Sequence, residues 1–145
     1  MKKLVLIIFG LMVFASCSKS DNHNCATVSP PEPAVSILIV DSEGNSLLGE
    51  DNVYKPSEIK LNRGSQEIPL MFYDQDGTTF MSLWYHDMES EKDYFLKLNE
   101  EETDVINLKI NTYNTECFQG LRGLEKFLVN GKEIQSDSHA FVIEK

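Results

Sequence analysis

The chain has 145 residues, with 13 Lys and Arg against 23 Asp and Glu, a formal charge of −10 and 41% apolar residues. Such acidity repels phosphate backbones and argues against nucleic acid as a partner. It equally disfavours docking on anionic headgroups through the protein surface, and the length bounds the chain to one ordinary domain.

Lys2 and Lys3 open the chain, Leu4 to Phe14 is almost wholly apolar, and Ala15 and Ser16 lead into Cys17. Those are the three parts of a secretory signal in order. The small pair ending on cysteine is the pattern of bacterial lipoprotein processing, in which the Cys17 thiol takes a diacylglyceryl group and becomes the new N-terminus. The apolar run is shorter than the roughly 20 residues that span a bilayer. Plain secretion is the rival reading, because Val13-Phe14-Ala15 also fits a small-residue cleavage site. Residues 1–16 are read as signal peptide and Cys17 as the lipidation site. The protein is then expected in the cell envelope, anchored in the outer membrane by lipid and facing the periplasm or the surface. Two or three acyl chains hold stably, at about 0.8 kcal/mol per buried methylene. Without residues 1–16, which hold two lysines and no acid, eleven basic residues face 23 acidic ones, a balance of −12.

From Ser18 a polar run without apolar periodicity ends in Pro30-Pro31-Glu32-Pro33. Prolines favour extended geometry, so residues 17–33 are read as a lipidated cysteine and flexible tether, reaching about 50 Å if fully extended. With Cys17 lipidated, Cys25 and Cys117 remain as an even pair in an oxidising compartment, which allows a disulfide. The alternatives are two unpaired thiols, or Cys117 as a small buried hydrophobe.

Residues 34–145 carry mostly strand signals. Val35 to Val40 is apolar on both faces and ends at the turn cluster Asp41-Ser42-Glu43-Gly44-Asn45. Ile59 and Leu61 flank Lys60 in a short alternating piece. Glu67 to Tyr73 and Thr79 to Tyr85 are aromatic and apolar runs separated by Asp74-Gln75-Asp76-Gly77, whose Asp-Gly pair suits a tight hairpin. Tyr94, Leu96 and Leu98 alternate next. Ile106, Leu108, Ile110 and Thr112 then face one way, with Asn107, Lys109, Asn111 and Tyr113 facing the other. Phe127 to Val129 meets Glu133-Ile134 across Asn130-Gly131, and Ala140 to Ile143 forms a last strand. Gly120 to Leu128 could make one or two helical turns, weakened by its two glycines. Short strands between regular turns predict an all-β fold, a single antiparallel β-sandwich of which the immunoglobulin-like arrangement is one form.

Asp41-x-x-Gly44-Asn45-x-Leu47-Leu48, followed by Tyr54-x-Pro56-x-x-Ile59-x-Leu61, resembles a group of small lipoproteins common in Bacteroidetes. There a lipidated cysteine and acidic tether precede a first strand that ends in an Asp-x-x-Gly-Asn turn. The resemblance covers the signal, the tether and about the first quarter of the domain. It implies an envelope β-domain and carries no activity with it.

Chemistry is sparsely signposted. His23 falls in the tether and His139 in a loop beside Asp137 and Ser138. His86, in Trp84-Tyr85-His86-Asp87-Met88-Glu89, could be oriented by Asp87 or Glu89, but strand neighbours point to opposite faces, and no elbow motif marks a nucleophile. Asp74-x-Asp76-Gly77 and Asp41-x-Glu43-Gly44-Asn45 start like calcium loops yet lack the later ligands, and turn chemistry alone explains them. Glu100-Glu101-Glu102-x-Asp104 reads as a solvated loop. No catalytic residue, metal ligand or cofactor is therefore assigned.

Tyr73, Trp84 and Tyr85 are the candidate platform for sugar rings or a protein partner, with Phe72 and Phe80 in the same aromatic cluster. The leading expectation is a non-catalytic envelope lipoprotein, a binding or accessory module with the membrane as lipid partner and an envelope protein or glycan as ligand. The alternatives are a small glycan-acting hydrolase using Asp87 with Glu89 as paired carboxylates, and a structural subunit of an envelope assembly that pairs through a β edge.

Overall fold

The computed structural model describes residues 25–137 and 140–145. The stretch read as a signal peptide, Cys17, His23 and His139 lie outside the described residues. Among the described residues, eleven strands follow one 3-10 turn, Cys25–Thr27. They are β1 (Ala34–Val40), β2 (Lys60–Arg63), β3 (Gln66–Ile68), β4 (Leu70–Gln75), β5 (Thr78–Trp84) and β6 (Asp93–Lys97). The second half adds β7 (Thr103–Tyr113), β8 (Leu121–Val129), β9 (Lys132–Glu133), β10 (Ser136–Asp137) and β11 (Ala140–Glu144). No helix among the described residues is long and apolar enough to cross a membrane.

The strands form two sheets, ordered β10-β11-β1-β5-β4 and β3-β2-β6-β7-β8-β9, in the β-sandwich arrangement that the alternation predicts. Inward residues of both sheets share one core: Ile37, Ile39, Met81 and Leu83 from the first, and Leu61, Tyr94, Leu96, Ile106, Leu108 and Phe127 from the second. Each such side chain contributes about 1.5–3 kcal/mol when fully buried. One pairing departs from the antiparallel expectation. β1 runs parallel to β11, with Ile37 opposite Phe141 and Ile39 opposite Ile143, and pairs antiparallel with β5 on its other edge. The order is the molecule's own: β1 lies between β11 and β5, where an immunoglobulin sheet has its first two strands side by side.

The Asp76-Gly77 and Asn130-Gly131 hairpins close with two-residue loops. Asp76 and Gly77 take φ of 51° and 79°, and Asn130 and Gly131 take 51° and 78°, the positive values of a type I′ turn. The run from Glu67 to Tyr73 is not one strand. Pro69 lacks the N–H that a ladder requires, and at that point the chain leaves the second sheet as β3 and enters the first as β4. The helical turns expected of Gly120 to Leu128 are strand from Leu121 onward, because β8 pairs along β7 from Val129 opposite Ile106 to Leu121 opposite Tyr113. An irregularity beside Lys109 and Ile110 leaves Glu125 as an extra residue, and its carboxylate lies 2.7 Å from Lys109 Nζ.

Cys25 and Cys117 form a disulfide, with Cα atoms 5.2 Å apart. Pro33 at the other end of this arm accepts a hydrogen bond from the Tyr85 N–H at 2.8 Å. The far half of the tether is therefore fastened to the domain at both ends.

Candidate functional site

The aromatic strands divide as the pleat requires. On β5, Met81 and Leu83 are buried while Phe80, Ser82 and Trp84 stand on the outer face. Register places Tyr73 opposite Phe80 and Met71 opposite Ser82, so Met71 and Tyr73 share that face. Trp84 is 38% exposed, Tyr73 39% and Met71 57%.

Tyr85 does not belong to the platform. It follows Trp84, points the opposite way and is 6% exposed in the core; burial raises its hydroxyl pKa. The two remaining platform residues do different things. Tyr73 stacks on Phe80 with ring centroids 5.5 Å apart, and its hydroxyl shares a 2.7 Å hydrogen bond with Ser36 Oγ. Trp84 instead walls an open cleft of about 430 Å³ with Pro33, Pro69 and Met71, and Gln66, Glu67, His86 and Asp87 are also among its lining residues. Pro69 makes this cleft by turning the chain between sheets, and the fastened arm supplies Pro33.

Asp87 and Glu89 face different surroundings. Asp87 lines the cleft, whereas Glu89 does not and is ion-paired to Arg63. The Arg63 guanidinium holds the Glu89 carboxyl below its usual range and also lies 5.7 Å from the Tyr94 ring centroid. His86 Nε2 is 4.0 Å from Asp87 Oδ1, with both side chains well exposed, too long for an orienting hydrogen bond.

The two calcium-like loops are closed by their own hydrogen bonds. Asp41 accepts from the N–H groups of Glu43 and Asn45 and from Asn45 Nδ2, each at 2.9 Å, and the Asn45 bonds lower its pKa. Asp74 accepts from Thr79 Oγ1 at 2.6 Å. Among the described residues, no three His, Cys, Asp or Glu side chains gather closely enough to hold a metal ion.

The acidic run at residues 100–104 is more than a solvated loop. Asp104 is 2% exposed, accepting from Asn130 Nδ2 at 2.8 Å and from Lys145 Nζ at 2.7 Å. Lys145 Nζ also reaches Glu102 at 2.6 Å, and Tyr54 donates to Glu102 at 2.5 Å. The Lys145 and Tyr54 hydrogen bonds lower the Glu102 pKa. Burial, then Glu102, pushes the Tyr54 hydroxyl up. This cluster joins β7 of one sheet to the end of β11 in the other, and its polar groups are spent on one another. It is a structural clasp. A signal for it existed, since the inward alternation of Ile106 and Leu108 extends back to Asp104.

Comparisons with protein-family models, with curated proteins and with solved structures found no match. The Trp84 cleft is therefore interpreted from its own geometry.

Proposed function

We propose that this protein is a non-catalytic lipoprotein of the cell envelope, held in the outer membrane through Cys17, that binds a ligand in the Trp84 cleft. One observation carries the reading: a half-exposed indole forms an open apolar wall with Pro33, Pro69 and Met71 beside the carboxylates of Glu67 and Asp87. Apolar walls with a few polar groups are the composition of a ligand site, and an exposed indole is a frequent anchor for ring faces and cations. Glu89 does not line the cleft and is ion-paired to Arg63, so it is not offered there as a second carboxylate beside Asp87. The resemblance to small Bacteroidetes lipoproteins supports the envelope setting.

The test is a crosslinked pull-down of tagged protein from intact cells, run beside Cys17→Ser and Trp84→Ala variants. A partner or glycan recovered with wild type and lost with Trp84→Ala is the expected result. Equal recovery with Trp84→Ala would move the site elsewhere, and equal fractionation of the Cys17→Ser variant with membranes would remove the lipid anchor.

A further inference from the structure

We propose that β4 and the Trp84 cleft together receive one extended, basic segment of a partner protein, which adds as a strand to the β4 edge and seats a Lys or Arg on Trp84. The inference rests on the reading of the cleft as a ligand site and names what fills it.

The first observation is the edge itself. β4 ends its sheet and pairs only with β5 among the described residues. The other sheet ends are β3 with three residues and β9 and β10 with two each, too short to template a strand. β4 has six residues, about 17–20 Å of ladder. Natural edges are blunted by charged side chains, lysine above all, by internal proline or by a bulge; β4, Leu-Met-Phe-Tyr-Asp-Gln, has only the single charge of Asp74.

Register identifies the available backbone groups. The Asp76-Gly77 loop makes Gln75 and Thr78 the closing hydrogen-bonded pair. Alternation then turns the N–H and C=O groups of Met71 and Tyr73 toward β5, and those of Leu70, Phe72 and Asp74 toward the open edge.

Charge selects the occupant. Between Arg63 and Lys92 the chain has six carboxylates, Glu67, Asp74, Asp76, Asp87, Glu89 and Glu91, and no Lys or Arg. Of these, Glu89 is neutralised by Arg63 and Glu91 bonds β7 of the other sheet and faces Lys109, which leaves Glu67, Asp74, Asp76 and Asp87 for this edge and cleft. A second copy of this chain would bring the same net acidity to the same edge, which opposes its approach. A basic strand meets complementary charge instead. Trp84, with Glu67 and Asp87 on the same cleft, offers a cation an indole face and carboxylates at once.

Trp84 is the one tryptophan, so its fluorescence reads the cleft directly. The probes are a short alternating Lys–Val peptide, its Glu–Val counterpart and a soluble β-linked oligosaccharide, each added to the oxidised mature protein. The Lys–Val peptide is expected to shift Trp84 emission and slow amide exchange at Leu70, Phe72 and Asp74, while the Glu–Val peptide does neither. By anisotropy of the labelled peptide, Asp74→Pro weakens binding about tenfold by removing an edge-facing N–H. Asp74→Asn, which keeps that N–H, weakens it about threefold or less, and Trp84→Ala weakens it about threefold to thirtyfold. The exchange measurement uses wild-type protein and so does not depend on how any variant folds.

Peptide binding without protection of those three amides overturns the edge proposal. Concentration-dependent protection without peptide, accompanied by a dimer in ultracentrifugation, overturns it in favour of a second copy. A silent peptide with an oligosaccharide that shifts Trp84 emission overturns the strand while leaving the cleft reading intact. Failure of every probe to move Trp84 overturns both.

Discussion

Replacing Lys145 with Met removes a cation and keeps most of its aliphatic bulk. In the wild type Nζ lies 2.7 Å from Asp104 Oδ2 and 2.6 Å from Glu102 Oε1. Breaking one side of a buried ion pair costs about 3–5 kcal/mol, because the remaining charge is stranded. Asp104 keeps its bond from Asn130, and the partly exposed Glu102 adds little, so the lower end applies, about 3 kcal/mol. With an unfolding entropy of about 2.1 cal/mol/K per residue over roughly 110 residues, Tm falls by about 13 °C. Combining Lys145→Met with Asp104→Leu removes both charges and should recover most of that loss.

The pH profile gives an independent sign. Burial would draw the Lys145 ammonium down, but its bonds to Asp104 and Glu102 outweigh burial and hold its pKa above the ordinary 10.5. A raised lysine pKa gives stability that is complete below 10.5 and lost as pH rises through the folded value. The lowered Glu102 pKa gives stability present above 4.5 and lost as pH falls through its folded value. Urea unfolding across this range should show both flanks for wild type and a shallower alkaline flank for Lys145→Met, because Lys109 and Tyr54 also have raised pKa values. A single-variant loss below about 1 kcal/mol, or a double variant no better than the single, refutes the clasp.

Three further outcomes follow from the packing. Cys117→Ser opens a cross-link spanning 92 residues of sequence, and the chain-entropy account puts the loss at about 4–5 kcal/mol; urea midpoints should fall in the variant, while dithiothreitol lowers wild type alone. Tyr85→Ala empties a core position and should cost about 3 kcal/mol, against about 1 for the half-exposed Trp84→Ala, and thermal melts giving the reverse order would invert the face assignment. Asn130 holds φ at 51° and bonds both the Val105 N–H and Asp104; Asn130→Ala should cost about 2–3 kcal/mol in denaturant titrations, with Asn130→Gly about 1 kcal/mol milder because glycine accepts that φ.

What was legible in the sequence was local. Asp76-Gly77 and Asn130-Gly131 specify their own backbone, so both hairpins could be read directly. Alternation of apolar residues in 106–110 sets the inward face. What was not legible depends on chain remote in sequence. Pro69 shows only that a ladder is interrupted, not that the strand transfers to the other sheet. The glycines that weaken a helix at 120–128 serve a strand instead: a Cβ on Gly123 would lie 2.6 Å from Asn111 Oδ1, so glycine leaves room for its neighbours on β7. Trp84 and Tyr85 were both candidates because composition does not tell which face of β5 is core. The partner of Asp104 is the residue at position 145, 41 positions away, and no pattern within the acidic run points there.

The disulfide changes what the tether can do. Read as free chain from Cys17 to the domain, it reaches about 50 Å. With Cys25 bonded to Cys117, only the eight steps from Cys17 to Cys25 separate a lipid on Cys17 from the domain, about 28 Å at full extension. Reduction would release the arm as far as Pro33, whose carbonyl bonds Tyr85, and restore the longer reach. The domain's standoff would then depend on the redox state of one bond. Lipidated protein in vesicles containing dansyl-labelled phosphatidylethanolamine makes this measurable, because Trp84 is the single donor. Energy transfer to dansyl should fall on reduction of wild type and start at the lower value in Cys25→Ser. Transfer that is equal in the oxidised, reduced and variant proteins would show that the disulfide does not set the distance, and the sixteen residues after Cys17 would have to be treated as one free tether.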